Sequence, residues 1–182
     1  MSVGLGINQL RQLRGIVQSL TPDAVKVLTH AFITSRLDCC KSLLVGVTDQ
    51  QLKHLQSVQN ATAHFVTGTR RSDHITPVLQ SLHWLPVRQR IHYKIAMLVH
   101  KCFNGRAPQY LIDECRLAGG RCSATRSAGR QMLEVTRCNT TFGDRSFAAA
   151  ALQVWSSLPD SVRDFTLCDD IFAKRLKSHL II

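Results

Sequence analysis

Apolar residues recur at three- and four-residue spacing through the first two thirds of the chain, the period of one helix face. Ile7, Leu10, Leu13, Val17 and Leu20 predict a first helix. Thr21-Pro22-Asp23 then supplies a capping hydroxyl, a proline at the first helical position and an acid in the first turn. The helix opened there carries Val25, Leu28, Ala31, Phe32 and Ser35. Thr48-Asp-Gln-Gln51 has the pattern of a capping box, and Leu52, Leu55, Val58, Thr62, Phe65 and Val66 continue it to a C-cap at Gly68. A polar, basic joint follows, Thr69-Arg70-Arg71-Ser72-Asp73-His74, and then a short apolar segment from Ile75 to Leu85. Pro86 opens the strongest helical pattern, with Val87, Ile91, Ile95, Leu98, Val99, Cys102 and Phe103 on one arc and Asn104-Gly105 as its end. Ala107-Pro108 starts one more short turn of helix through Ile112.

From Arg116 to Arg130 the pattern gives way to Gly, Ser, Ala, Thr and Arg, the composition of a loop or linker. Met132–Val135 is a candidate short strand, and two further helices are expected over about 144–157 and 169–179. The fold class is therefore mainly α: an antiparallel helical bundle over 1–114, a basic loop with a possible short strand over 115–142, and a small C-terminal helical part over 143–182. Trp84 and Trp155 sit among apolar neighbours and are expected to anchor cores.

Composition changes this picture mainly through charge. The chain of 182 residues has 23 Lys and Arg against 12 Asp and Glu, a net charge of +11. Such an excess favours a polyanionic partner, nucleic acid before a membrane surface. No stretch approaches the roughly 18 apolar residues of a bilayer span. The seven cysteines include no Cys-x-x-Cys, and the N-terminus lacks the basic and apolar regions of a signal peptide, so an intracellular protein with free thiols, nuclear or cytoplasmic, is expected.

Chemistry-bearing motifs are scarce. There is no phosphate loop, nucleophile elbow or zinc-protease helix. His100, Cys102, Cys115 and Cys122 are the best candidate zinc set, but His-x-Cys spacing is poor on a helix and the other gaps fit no common finger. Neither a metal nor another cofactor is expected. Cys168-Asp169-Asp170-Ile171 looks like the paired aspartates of polymerases, yet Phe172, Leu176 and Leu180 follow at helical spacing, as at a helix N-terminus. The basic residues carry more. Arg70, Arg71 and His74 cluster on the joint, Arg90, Lys94 and Lys101 form one stripe of the helix after Pro86, and the loop adds Arg116, Arg121, Arg126 and Arg130. Arginine suits phosphate because its planar fork binds two oxygens at once. These ten positions are the candidate contacts to a nucleic-acid backbone.

Particular strings carry a resemblance. Ser35-Arg-Leu-Asp-Cys-Cys40-Lys-Ser-Leu-Leu44-Val-Gly46 and Leu52-Lys-His-Leu55-Gln-Ser-Val-Gln-Asn60 resemble the C-terminal region of LINE-type, non-long-terminal-repeat retrotransposon reverse transcriptases of the jockey-like group. So do the strings from Val66 to Leu79 and from Leu82 to Ile91, then Gly143–Phe147, Trp155–Pro159 and Phe172–Leu180, in consistent order over nearly the whole chain. The chain departs from the family pattern at Cys39, usually aromatic, at Lys41, usually Asn, and at His64-Phe65. The resemblance implies a helical, thumb-like region following the polymerase fingers and palm, with template RNA or target DNA, and the palm of a parent RNA-directed DNA polymerase, as partners. In that family the polymerase aspartates and the endonuclease lie upstream, so the chain itself is expected not to be an enzyme. Two other readings stay open at this point: a host interaction module derived from a retroelement, and a non-functional remnant.

Overall fold

A computed structural model describes residues 15, 19–29, 31, 44–115 and 146–181. Its helices are α1 (Pro22–Thr29), α2 (Asp49–Thr67), α3 (Ile75–Ser81), α4 (Val87–Phe103), α5 (Gln109–Glu114), α6 (Phe147–Ser157) and α7 (Asp169–Leu180). Every regular element among the described residues is helical, as the spacing of apolar positions requires. The candidate strand Met132–Val135 lies outside the described residues, as does the first expected helix apart from Gly15, Ser19 and Leu20, of which the last two form a turn and bend before α1.

Local chemistry explains most helix ends. The Thr21 hydroxyl accepts the Ala24 N–H at 3.4 Å where Pro22 opens α1. Ser146 does the same for Ala149 at 3.3 Å at the start of α6. Gly68 ends α2 with φ of 69°, a left-handed conformation that costs glycine nothing. The capping box expected at Thr48 is not made: Thr48 occupies the N-cap, but its side chain makes no capping hydrogen bond. Its carbonyl accepts the Gln51 and Leu52 N–H groups instead. Two helices end in Schellman turns. After α3, the His83 and Trp84 N–H groups return to the Gln80 and Leu79 carbonyls, with His83 left-handed at φ of 54°. After α4, Gly105 and Arg106 return to Cys102 and Lys101, with Gly105 left-handed.

The described residues fall into two compact units. The first takes in α1, α2, α3 and the opening of α4 through Arg90. Both α1 and α3 pack against α2. Ala63, Val78 and Leu79 are buried at the α2–α3 contact, with Ile75, Leu82 and Trp84 packed on them. A chain of amides then fixes where α4 begins. Gln56 donates to Gln59 and Asn60, its own carbonyl oxygen accepts the Val87 N–H at 2.8 Å, and Gln59 donates to the Leu85 carbonyl at 2.8 Å. Pro86 between these anchors has no N–H to satisfy.

The second unit comprises residues 44–46, 91–115 and 146–181. The helix after Pro86, grouped by sequence with the N-terminal helices, thus shares a core from Ile91 onward with α6 and α7. Val99, Trp155, Phe172 and Leu176 are wholly buried there. Phe165 stacks on Trp155 at 4.9 Å between ring centroids and meets Phe103 at 4.2 Å. Burying each large apolar side chain stabilises by about 1.5–3 kcal/mol, and each aromatic pair adds about 0.5–1.5 kcal/mol. No helix among the described residues is long and apolar enough to cross a membrane.

Candidate nucleic-acid interface

The basic joint belongs to the first unit. Once Gly68 ends α2, the chain closes a tight turn: the Asp73 carboxylate accepts the Arg70 N–H at 2.9 Å, and the Asp73 N–H returns to the Arg70 carbonyl at 3.0 Å. Thr69 is held by its hydroxyl against His64 Nδ1 at 2.9 Å. The backbone being tied in this way, the Arg70, Arg71 and His74 side chains all project as exposed groups. His74 is also the N-cap position of α3, though its side chain makes no capping bond.

The second group runs along α4. At 100° per residue, Arg90, Lys94, Met97 and Lys101 fall within an arc of about 60° and span roughly 16 Å of helix. Lys94 and Lys101 are exposed, and Arg90 and Met97 are half-buried. Val87, Ile91, Ile95, Val99 and Cys102 are buried on the apolar arc of the same helix. The alternation of arcs read from sequence is the one the helix adopts. Several other bases are committed to acids: Arg88 pairs with Asp49, Arg106 with Asp169 at 2.9 Å, and Arg163 with Asp160. None of these three stood among the candidate contacts. Arg116, Arg121, Arg126 and Arg130 lie outside the described residues.

The most constrained polar cluster was not legible as such in the sequence. His100 is fully buried, its ring stacked on Phe172 at 4.1 Å, and its Nδ1 faces the Asp169 carboxylate at 3.1 Å. Asp169 also accepts from Arg106. Burial pushes the imidazole below its ordinary pKa, against the upward pull of Asp169 and of the Leu167 carbonyl. Partial desolvation acts to raise the Asp169 carboxyl, but Arg106 and His100 together hold it below its usual value. A neutral imidazole donating Nδ1–H to a carboxylate satisfies both trends. Asp169 and Asp170 form the first turn of α7, so the pair reads as a helix start.

The three described members of the zinc set considered from sequence, His100, Cys102 and Cys115, do not group as metal ligands. His100 and Cys102 lie about 200° apart around α4, and His100 turns to Asp169. Cys102 and Cys115 are both buried, and Cys122 is outside the described residues. Among the described residues no three His, Cys, Asp or Glu side chains are grouped to hold a metal ion.

Comparison with known protein families, with curated proteins and with solved structures finds no match to this chain.

Proposed function

We propose that this chain is the C-terminal, nucleic-acid-handling region of a LINE-type retrotransposon reverse transcriptase, binding the backbone of template RNA or target DNA without a polymerisation site of its own. The family strings seen in the sequence support the identity. The observation that carries the binding role is the face of α4 on which Lys94 and Lys101 are exposed, in line with Arg90. A row of cations on a helix anchored by its opposite, buried face is preorganised for phosphates, because the scaffold and not the side chains sets the spacing. The exposed Arg70, Arg71 and His74 joint supplies a second cationic patch, and the Arg116–Arg130 segment a third.

The test is a filter-binding titration of the full chain with RNA and with duplex DNA across a salt series. Backbone binding weakens steeply with salt, because each neutralised phosphate releases counterion and adds about −0.9 to the log–log slope on duplex DNA. Lys94→Glu with Lys101→Glu should flatten that slope by about 2 while circular dichroism shows unchanged helix content. Absence of binding at about 50 mM salt, or a slope untouched by the double reversal, overturns the proposal.

A further inference from the structure

Tyr110, in α5, is the only exposed Phe, Tyr or Trp among the described residues. It is 67% exposed, and its side chain has no hydrogen-bond or ring partner among them. The two tryptophans, by contrast, are taken up by the cores. Two turns fix where the ring stands, both in the second unit. The Schellman turn after α4 puts the Arg106 N–H on the Lys101 carbonyl at 2.9 Å, and the Leu111 and Ile112 N–H groups return to the Pro108 carbonyl to start α5. The chain from Arg106 to Tyr110 spans at most about 14 Å, so two cations are near neighbours of the ring. Lys101 is exposed, with no acid paired to it among the described residues. Arg106 is exposed as well and gives one N–H to Asp169 at 2.9 Å, which leaves its other donors open. On α5, Leu111 and Ile112 are half-buried, so Gln109, Tyr110, Asp113 and Glu114 make up the outer face. Asp113 accepts from Gln109 at 3.0 Å. These two acids repel phosphate from the far end of that face, so a polyanion approaches Tyr110 from the side of Lys101 and Arg106.

We infer that Tyr110 is a stacking platform for an unpaired nucleobase, with the adjoining phosphates of the strand on Lys101 and Arg106. A base inside a duplex has both faces covered by its neighbours, whereas a base in a single strand can lay one face on an aromatic ring. Such stacking tolerates any sequence, because every base has a π-face. The inference rests on the nucleic-acid reading above and narrows it: single-stranded RNA or DNA is the form this site takes. Stacking also differs from phosphate contact in how it responds to salt. It neutralises no phosphate and releases no counterion, so it adds affinity without adding to the salt slope.

The experiment titrates the full chain with oligo(dT) and with an abasic strand of the same length, which keeps the phosphates and lacks the bases. Oligo(U) and its abasic counterpart form the RNA arm, and every titration is repeated across a salt series. The native chain should bind the strand with bases about 5- to 150-fold more tightly than the abasic one, the range for one base stacked on an aromatic ring. Tyr110→Ala should abolish that preference and leave the salt slope unchanged, whereas Tyr110→Phe, which keeps the ring, should retain it. Circular dichroism should show the same helix content in both variants, since the ring is exposed. If Tyr110→Ala does not fold, the native comparison of the two strands and the Phe variant decide. Equal affinity of the native chain for strands with and without bases overturns the inference, as does a preference that survives Tyr110→Ala. Either result, with salt-dependent binding to the abasic strand intact, leaves the phosphate-binding proposal standing. Failure of the native chain to bind any strand overturns both.

Discussion

His100 shows how one buried side chain makes stability depend on pH. The groups facing it are the Asp169 carboxylate, Arg106 beyond it, the Asn104 amide, the Leu167 carbonyl and the Phe172 ring. With its pKa below the ordinary 6.5, the ring takes up a proton more readily in the unfolded chain than in the folded one. Its contribution to stability is therefore complete above about pH 6.5 and is lost as pH falls through that value toward the folded pKa. Asp169, held below its usual 3.8, gives up its contribution only at more acid pH. The urea midpoint of the native chain should fall between about pH 7 and 5. In His100→Phe, which keeps a ring against Phe172 and cannot titrate, the fall should be smaller. Parallel pH profiles for the two proteins would assign the effect to other histidines.

At the scale of elements, the amide chain from Gln56 and Gln59 to Leu85 and Val87 sets the entry to α4. Gln59 is 2% exposed, so removing its amide strands the Leu85 carbonyl away from water. Gln59→Ala should destabilise by about 1–3 kcal/mol, the cost of an unsatisfied buried polar group, as measured by urea denaturation. A loss below about 0.5 kcal/mol would mean that solvent reaches the carbonyl in place of the amide. The helices themselves were largely legible, because a 3.6-residue period, Pro22, Gly68 and Gly105 are local signals. The arc from Val87 to Cys102 was readable for the same reason. The amide chain was not: Gln56 and Gln59 look like polar interruptions of an amphipathic face, and their partners lie about 30 residues away. Thr48 shows the converse, a local capping pattern whose side-chain bond the fold does not use.

For the molecule as a whole, the sequence conveyed class and charge better than grouping. A mainly helical chain and its stripe of Arg90, Lys94 and Lys101 followed from periodicity. The assignment of α4 beyond Arg90 to the same core as α6 and α7 did not, because Phe103 meets Trp155 and His100 meets Asp169 across long stretches of chain. Pairings of that kind leave no trace in local spacing. The +11 charge likewise gave no position until the fold placed Lys94 and Lys101 as exposed groups on one arc of α4.

The chain has two tryptophans, and each unit holds one. Trp84 is half-buried against Ala63, Val78 and Leu79, whereas Trp155 is wholly buried and stacked on Phe165. Fluorescence of the native protein should accordingly resolve into a redder population that acrylamide quenches and a bluer one that it does not. Trp84→Phe should remove the quenchable part alone, and uniform quenching of the native chain would contradict this assignment. The placement gives each unit its own optical reporter, so the loss of packing in one can be timed while the other still holds.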